Sequence, residues 1–158
     1  MNPRRVELLQ AMPIFGAVQA EVLDYILRTG NYRLVRQGDY YFREGDLADA
    51  MYVLERGAVA AYRNWQGTDF KLRDMRPGDC FGEMALLDCR PRSASVVALK
   101  DSAAIEISGA QLSEIYQKYP DQFLLIHMNM AREVCRRLRA ADRRLFEITL
   151  GNEHTEVV

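Results

Sequence analysis

The hydrophobic period switches twice along this 158-residue chain, and that double switch constrains the fold more than any other feature. Over residues 3–29, Val6, Leu9, Ile14, Val18, Val22, Leu23, Ile26 and Leu27 recur at helical spacing around a break at Pro13. From Gly30 the apolar residues alternate instead, in short runs at 40–43, 50–54, 58–62, 71–75, 95–99 and 103–107. Gly38-Asp39, Gly45-Asp46, Gly57, Gly67 and Pro77-Gly78-Asp79 separate these runs at near-even intervals, the turn rhythm of an antiparallel barrel or jelly roll. After Ser108 the helical period returns, over 109–118 and again from Pro120, a residue suited to a first helical turn. The predicted class is α+β, mainly β. An antiparallel β-roll over 30–108 carries N-terminal helices (3–29), a short internal helix and two C-terminal helices (109–149). One domain spans 1–150, and 151–158 reads as a tail.

In the last helix Phe123, Ile126, Met130, Val134, Leu138, Ala141, Leu145 and Ile148 step by three or four. That stripe is longer than a small barrel needs for cover. Either its second half is unsupported or it forms a seam with a second copy; the seam is the preferred expectation.

Composition removes several classes of function. A net charge of -1 and a pI near 6.1 provide no global attraction to nucleic acid or to an acidic membrane. The N-terminal apolar stretch is interrupted by Glu7, Gln10 and Pro13, so no secretory signal is expected, and no run reaches the length of a membrane span. Cys80, Cys89 and Cys135 form no paired framework, which suits reduced thiols and a cytoplasmic location. The two histidines, His127 and His154, are too few for the metal cluster of a barrel metalloenzyme, and no nucleophile elbow or phosphate-binding P-loop is present. No catalysis and no cofactor are expected.

The chemistry concentrates in two adjacent segments. Phe81-Gly82-Glu83-Met84-Ala85-Leu86-Leu87 follows a Pro-Gly-Asp turn, and Arg92-Ser93-Ala94-Ser95-Val96 opens a strand five residues later. Gly82 lets a ligand approach the backbone closely, and 83–86 suits one helical turn whose amides point at negative charge. Arg92 supplies a guanidinium fork for a phosphate, with a hydroxyl and an amide from Ser93. Glu83 would repel a phosphate, so its suitable partner is a neutral hydroxyl such as that of a ribose. An arginine for phosphate beside a glutamate for sugar describes a nucleotide.

These segments closely resemble the phosphate-binding cassette of cyclic nucleotide-binding domains. The stretches 38–39, 42–46, 51–54 with Gly57, and 77–79 also resemble that family's turns and strands, so the likeness covers residues 5–149. It implies a β-roll with flanking helices, a ribose 2′-hydroxyl on Glu83, a cyclic phosphate on Arg92 with Ser93 and Ala94, and a last helix closing over the base. Phe81, Gly82, Met84 and Ala85 complete the implied cassette. Matching the Arg-Arg-Leu run of the last helix to the family places Arg137, Leu138, Ala141 and Asp142 nearest the base. Cyclic AMP is the expected ligand, with cyclic GMP the alternative, because the cassette itself contacts only what the two share. Asp142 offers an acceptor to either base, and Ser93 suits a guanine held syn.

The resemblance further implies a sensor whose last helix moves on ligand binding. With eight residues left after the stripe, output is expected through a protein partner or a dimer mate rather than an appended DNA-reading module. Two rival readings remain. A nucleic-acid binder would use the arginines at 132, 136, 137, 139, 143 and 144, although Glu133, Asp142 and Glu147 interrupt them. A ligand-free interaction module would keep the cassette only as scaffold.

Overall fold

The computed structural model describes residues 3–153. Helix α1 (Pro3–Gln10), a 3-10 turn (Pro13–Phe15) and α2 (Ala20–Thr29) precede the roll. Its strands are β1 (Asn31–Val35), β2 (Tyr40–Phe42), β3 (Ala50–Arg56), β4 (Val59–Trp65), β5 (Thr68–Met75), β6 (Cys80–Phe81), β7 (Ser95–Ala98) and β8 (Ser102–Ser108). A short α3 (Glu83–Asp88) sits between β6 and β7, and α4 (Gly109–Lys118) and α5 (Pro120–Glu153) follow. All pairings are antiparallel, in two four-stranded sheets ordered β1-β8-β3-β6 and β2-β7-β4-β5.

Three of the turns share one chemistry. Gly38, Gly45 and Gly78 take φ of 87°, 85° and 98°, and the following Asp39, Asp46 and Asp79 amides bond back to the Arg36, Arg43 and Arg76 carbonyls. A turn with positive φ at its third residue calls for glycine there. The carboxylates of Asp46 and Asp79 lock two of these turns by accepting from the Arg43 and Arg76 amides at 2.8 and 2.9 Å.

The core has two compartments, and β3 divides them. Met51 and Val53 face a cluster with α2, α4 and the first half of α5, where Ile26, Leu112, Ile115, Ile126 and Met130 are buried. Tyr52 and Leu54 face the interior of the roll with Val59, Met75, Phe81 and Val96. Burial on both faces explains why 50–54 is a nearly unbroken apolar run. Asn129 fixes α5 to the N-terminal turn by donating to the Ile14 and Gly16 carbonyls at 3.1 and 3.0 Å.

Three boundaries differ from expectation. β1 lay outside the named runs because four of its five residues are exposed, which leaves no alternation to read. β4 and β5 extend to a hairpin tip at Gln66-Gly67, beyond the part that packs on the core. α5 continues through Gly151 to Glu153, since one glycine costs a helix only about 1 kcal/mol; the rest of the expected tail, 154–158, lies outside the described residues. No helix among the described residues is long and apolar enough to cross a membrane.

Candidate ligand site

At the end of β6 the chain turns through Gly82, whose φ of 79° is left-handed, directly into α3. A Cβ there would lie 2.6 Å from Nη1 of Arg92, so glycine is needed both for the turn and for the arginine. Arg92 itself is only 5% exposed. It donates from Nη1 to the Gly82 carbonyl at 2.9 Å and from Nη2 to the Ala50 carbonyl at 2.6 Å, tying the cassette to β3. Its guanidinium carbon stands 4.0 Å from the ring centroid of Phe42, a cation–π contact. Burial pulls its pKa below the ordinary arginine value, opposed by Tyr52, Asp49, Asp46 and Glu83. Its Nε is buried without a partner.

Glu83, the first residue of α3, is fully buried. One carboxylate oxygen accepts from Nη1 of Arg137 on α5, while the other is buried with no hydrogen-bond partner. Arg137 also donates to the Cys80 carbonyl and pairs with Glu133 at 3.4 Å. The Cys80 thiol beneath it is pushed up to about 12 by burial and by the Glu83 charge.

An open cavity of about 600 Å³, its solvent-filled mouth included, connects these groups. Phe42, Ala61, Leu72, Met75 and Val96 make an apolar wall, and three guanidinium groups (Arg73, Arg92, Arg137) face one carboxylate, Glu83. Unsatisfied polar atoms on both Glu83 and Arg92, in a cavity with surplus positive charge, suit a ligand that is anionic at one end, hydroxylated nearby and flat and apolar beyond.

The structure brings Phe81, Gly82, Glu83, Met84, Ala85, Arg92, Ser93, Ala94 and Arg137 to this cavity. Leu138, Ala141 and Asp142 are exposed on α5 and do not line it. Phe42, Leu72 and Arg73 line it and were missed by the sequence reading. The signal for Arg73 was its spacing of two from Met75, which points inward. Leu72 joins it because β5 bulges there: Ala61 pairs with Arg73 and Tyr62 with Lys71, so Leu72 is the extra residue.

Residues 25–119 match the family described as the cyclic nucleotide-binding domain. The chain belongs to that family. It is 34% identical over 135 residues to the cyclic AMP receptor protein of Thermus thermophilus, covering 85% of this chain and 61% of that one. It is 45% identical over 64 residues to the cAMP-dependent protein kinase regulatory subunit of Aspergillus niger, covering 40% of this chain and 15% of that protein. The crystal structure of the Thermus thermophilus catabolite activator protein superposes with a TM-score of 0.74 at 34% identity, over 87% of this chain and 63% of that one. The chain thus spans about three-fifths of the bacterial relative and far less of the fungal one. Family and fold together make this a ligand-binding regulatory domain, not a catalyst.

Proposed function

We propose that the chain senses a 3′,5′-cyclic purine mononucleotide and reports its presence through α5. The observation that carries this reading is the pairing, in one cavity, of buried Glu83 and buried Arg92, each with a polar atom that the protein leaves unsatisfied. Arg92 grips the cyclic phosphate, helped by the hydroxyl and amide of Ser93. The free oxygen of Glu83 takes the ribose hydroxyl, and the purine lies along the apolar wall of β5.

The names of the relatives support cyclic AMP as the ligand. A second reading, cyclic GMP, is favoured by one observation, the Arg73 guanidinium on that wall. For output, Leu138, Leu145, Phe146 and Ile148 are 60–65% exposed on the half of α5 that stands clear of the roll. Such a face suits a second copy of the chain or a protein partner. A ligand that binds one position of α5 better than another shifts that helix, and with it this face. The three free cysteines suit a reducing compartment.

Calorimetric titration of the purified chain with cyclic AMP and cyclic GMP tests the reading. Saturable binding of either, lost on adding the other in excess, is the expected result; heat of dilution alone with both would refute it.

A further inference from the structure

We infer that the outer face of α5 docks a helix of another protein, one that sets a lysine or arginine against Asp142 and acidic side chains beside Arg132 and Arg139. This deepens the proposal that α5 carries the output, by naming the charges its partner must bear.

The face has the pattern of a coiled-coil seam. Leu124, Ala131, Leu138 and Leu145 recur every seven residues, and Met128, Cys135, Asp142 and Thr149 do the same between them, so the spacing alternates four and three. All eight are exposed. The other side of the helix is already in use: Ile126 and Met130 enter the core, and Arg137 reaches the cavity. Those three fall at the heptad positions opposite the seam. The roll thus holds one side of α5 and leaves the other open along its length.

Charge selects what covers it. In a parallel pairing of two copies each seam residue meets its own counterpart, so Asp142 would be pressed against a second Asp142. Two carboxylates at the centre of a seam repel. The rim offers a second copy nothing in return. Arg132 and Arg139 flank the seam on one side, where a parallel helix presents the residues of its opposite flank. In this chain those are His127, Val134, Ala141 and Ile148, with no acid among them. An antiparallel copy would instead bring Arg132 against Arg139. Within the chain these charges are not satisfied either: among the described residues Asp142 and Arg139 make no ion pair, and Arg132 only donates to Asn129. Leu138 and Leu145 supply the apolar contact, while the charges around them refuse a second copy and admit a helix of complementary sign.

The test is sedimentation equilibrium on the parent chain, on Asp142→Leu and Asp142→Lys, and on an equimolar mixture of parent and Asp142→Lys, each with and without cyclic AMP and cyclic GMP. Asp142 is exposed, so neither substitution touches the core. The mixture supplies, opposite Asp142, the cation that the inferred partner carries. With or without nucleotide, the parent should stay monomeric at loadings where Asp142→Leu dimerises. The mixed pair should form about ten-fold or more tightly than either chain pairs with itself, and Leu138→Glu in both chains should abolish it. Equal self-association of the parent and Asp142→Leu would overturn the inference. So would a mixed pair no tighter than the self-pairs, or one that survives Leu138→Glu. None of these results bears on nucleotide binding, which stands or falls on the calorimetry above.

Discussion

Arg137, in the second half of α5, donates to the carboxylate of Glu83 at the head of α3 across 54 positions of sequence. The pair joins α5 to the cassette through the very carboxylate proposed to hold the ribose. Because Glu83 is fully buried and Arg137 is its only protein partner among the described residues, deleting the arginine strands a charge in the interior. Arg137→Ala should lower stability to urea by about 1–3 kcal/mol. Adding Glu83→Gln should recover part of that loss, since the stranded charge goes with it. Strictly additive losses in the double variant would show that the two side chains are not coupled.

Arg92 has a structural duty beside its proposed grip on phosphate. Its fork bridges the Gly82 and Ala50 carbonyls, which belong to different elements. Because of these two bridged carbonyls, Arg92→Ala should lose about 1–3 kcal/mol of stability together with ~2–5 kcal/mol of binding. Denaturation and titration of the same preparation separate the two effects. Undiminished nucleotide affinity would remove Arg92 from the site.

Gly82 is held by two constraints at once. Its φ of 79° disfavours any side chain, and a Cβ would press on Nη1 of Arg92 at 2.6 Å. Gly82→Ala should therefore cost about 1–3 kcal/mol through backbone strain and also displace the guanidinium, so binding weakens out of proportion to stability. Gly67, at φ 85° with open space around it, is the control: Gly67→Ala should bear the strain and leave binding unchanged.

Much of this was legible in the chain itself, and the exceptions have physical causes. The bounds of α4 were readable because Ser108 caps it, accepting from the Gln111 amide at 3.0 Å, and Pro120 opens α5. The cassette was readable because Gly82, Glu83 and Arg92 lie close in sequence and their residue types admit few other uses. Arg73 was not, for a lone arginine in an alternating run reads as a solvated strand residue until the register with Ala61 turns it inward. Nor was the Arg137–Glu83 pair, since no local pattern announces a contact made by packing α5 across the end of the roll. β1 escaped notice for a related reason: periodicity records burial, and β1 has almost none.

The outer half of α5 makes a separate prediction. Leu138 and Leu145 are 60% and 65% exposed, so replacing either by glutamate takes nothing from the core. If a second copy covers this face, Leu138→Glu and Leu145→Glu should each convert a dimer to monomers in sedimentation equilibrium while circular dichroism stays unchanged. A parent chain that sediments as a monomer, with or without nucleotide, would assign the face to another protein.

Cys80 provides a test by pH alone. Its thiol lies under Arg137, 3.6 Å from Nη2, yet burial dominates and pushes its pKa from 9.0 up to about 12. The folded chain thus keeps a proton that the unfolded chain releases above about pH 9. Wherever the folded state binds more protons, stability falls as pH rises, here by about 1.4 kcal/mol per pH unit within that window. Below pH 9 both states hold the proton and the group contributes no slope. Cys80→Ala removes the group and introduces a packing loss that does not vary with pH, while lysines and tyrosines titrate alike in both chains. The stability difference between parent and variant, from urea midpoints at pH 8, 9, 10 and 11, should therefore be constant up to pH 9 and then shrink steadily. Parallel curves to pH 11 would mean that solvent reaches the thiol, and that the floor beneath Arg137 is wetter than its 3% exposure implies.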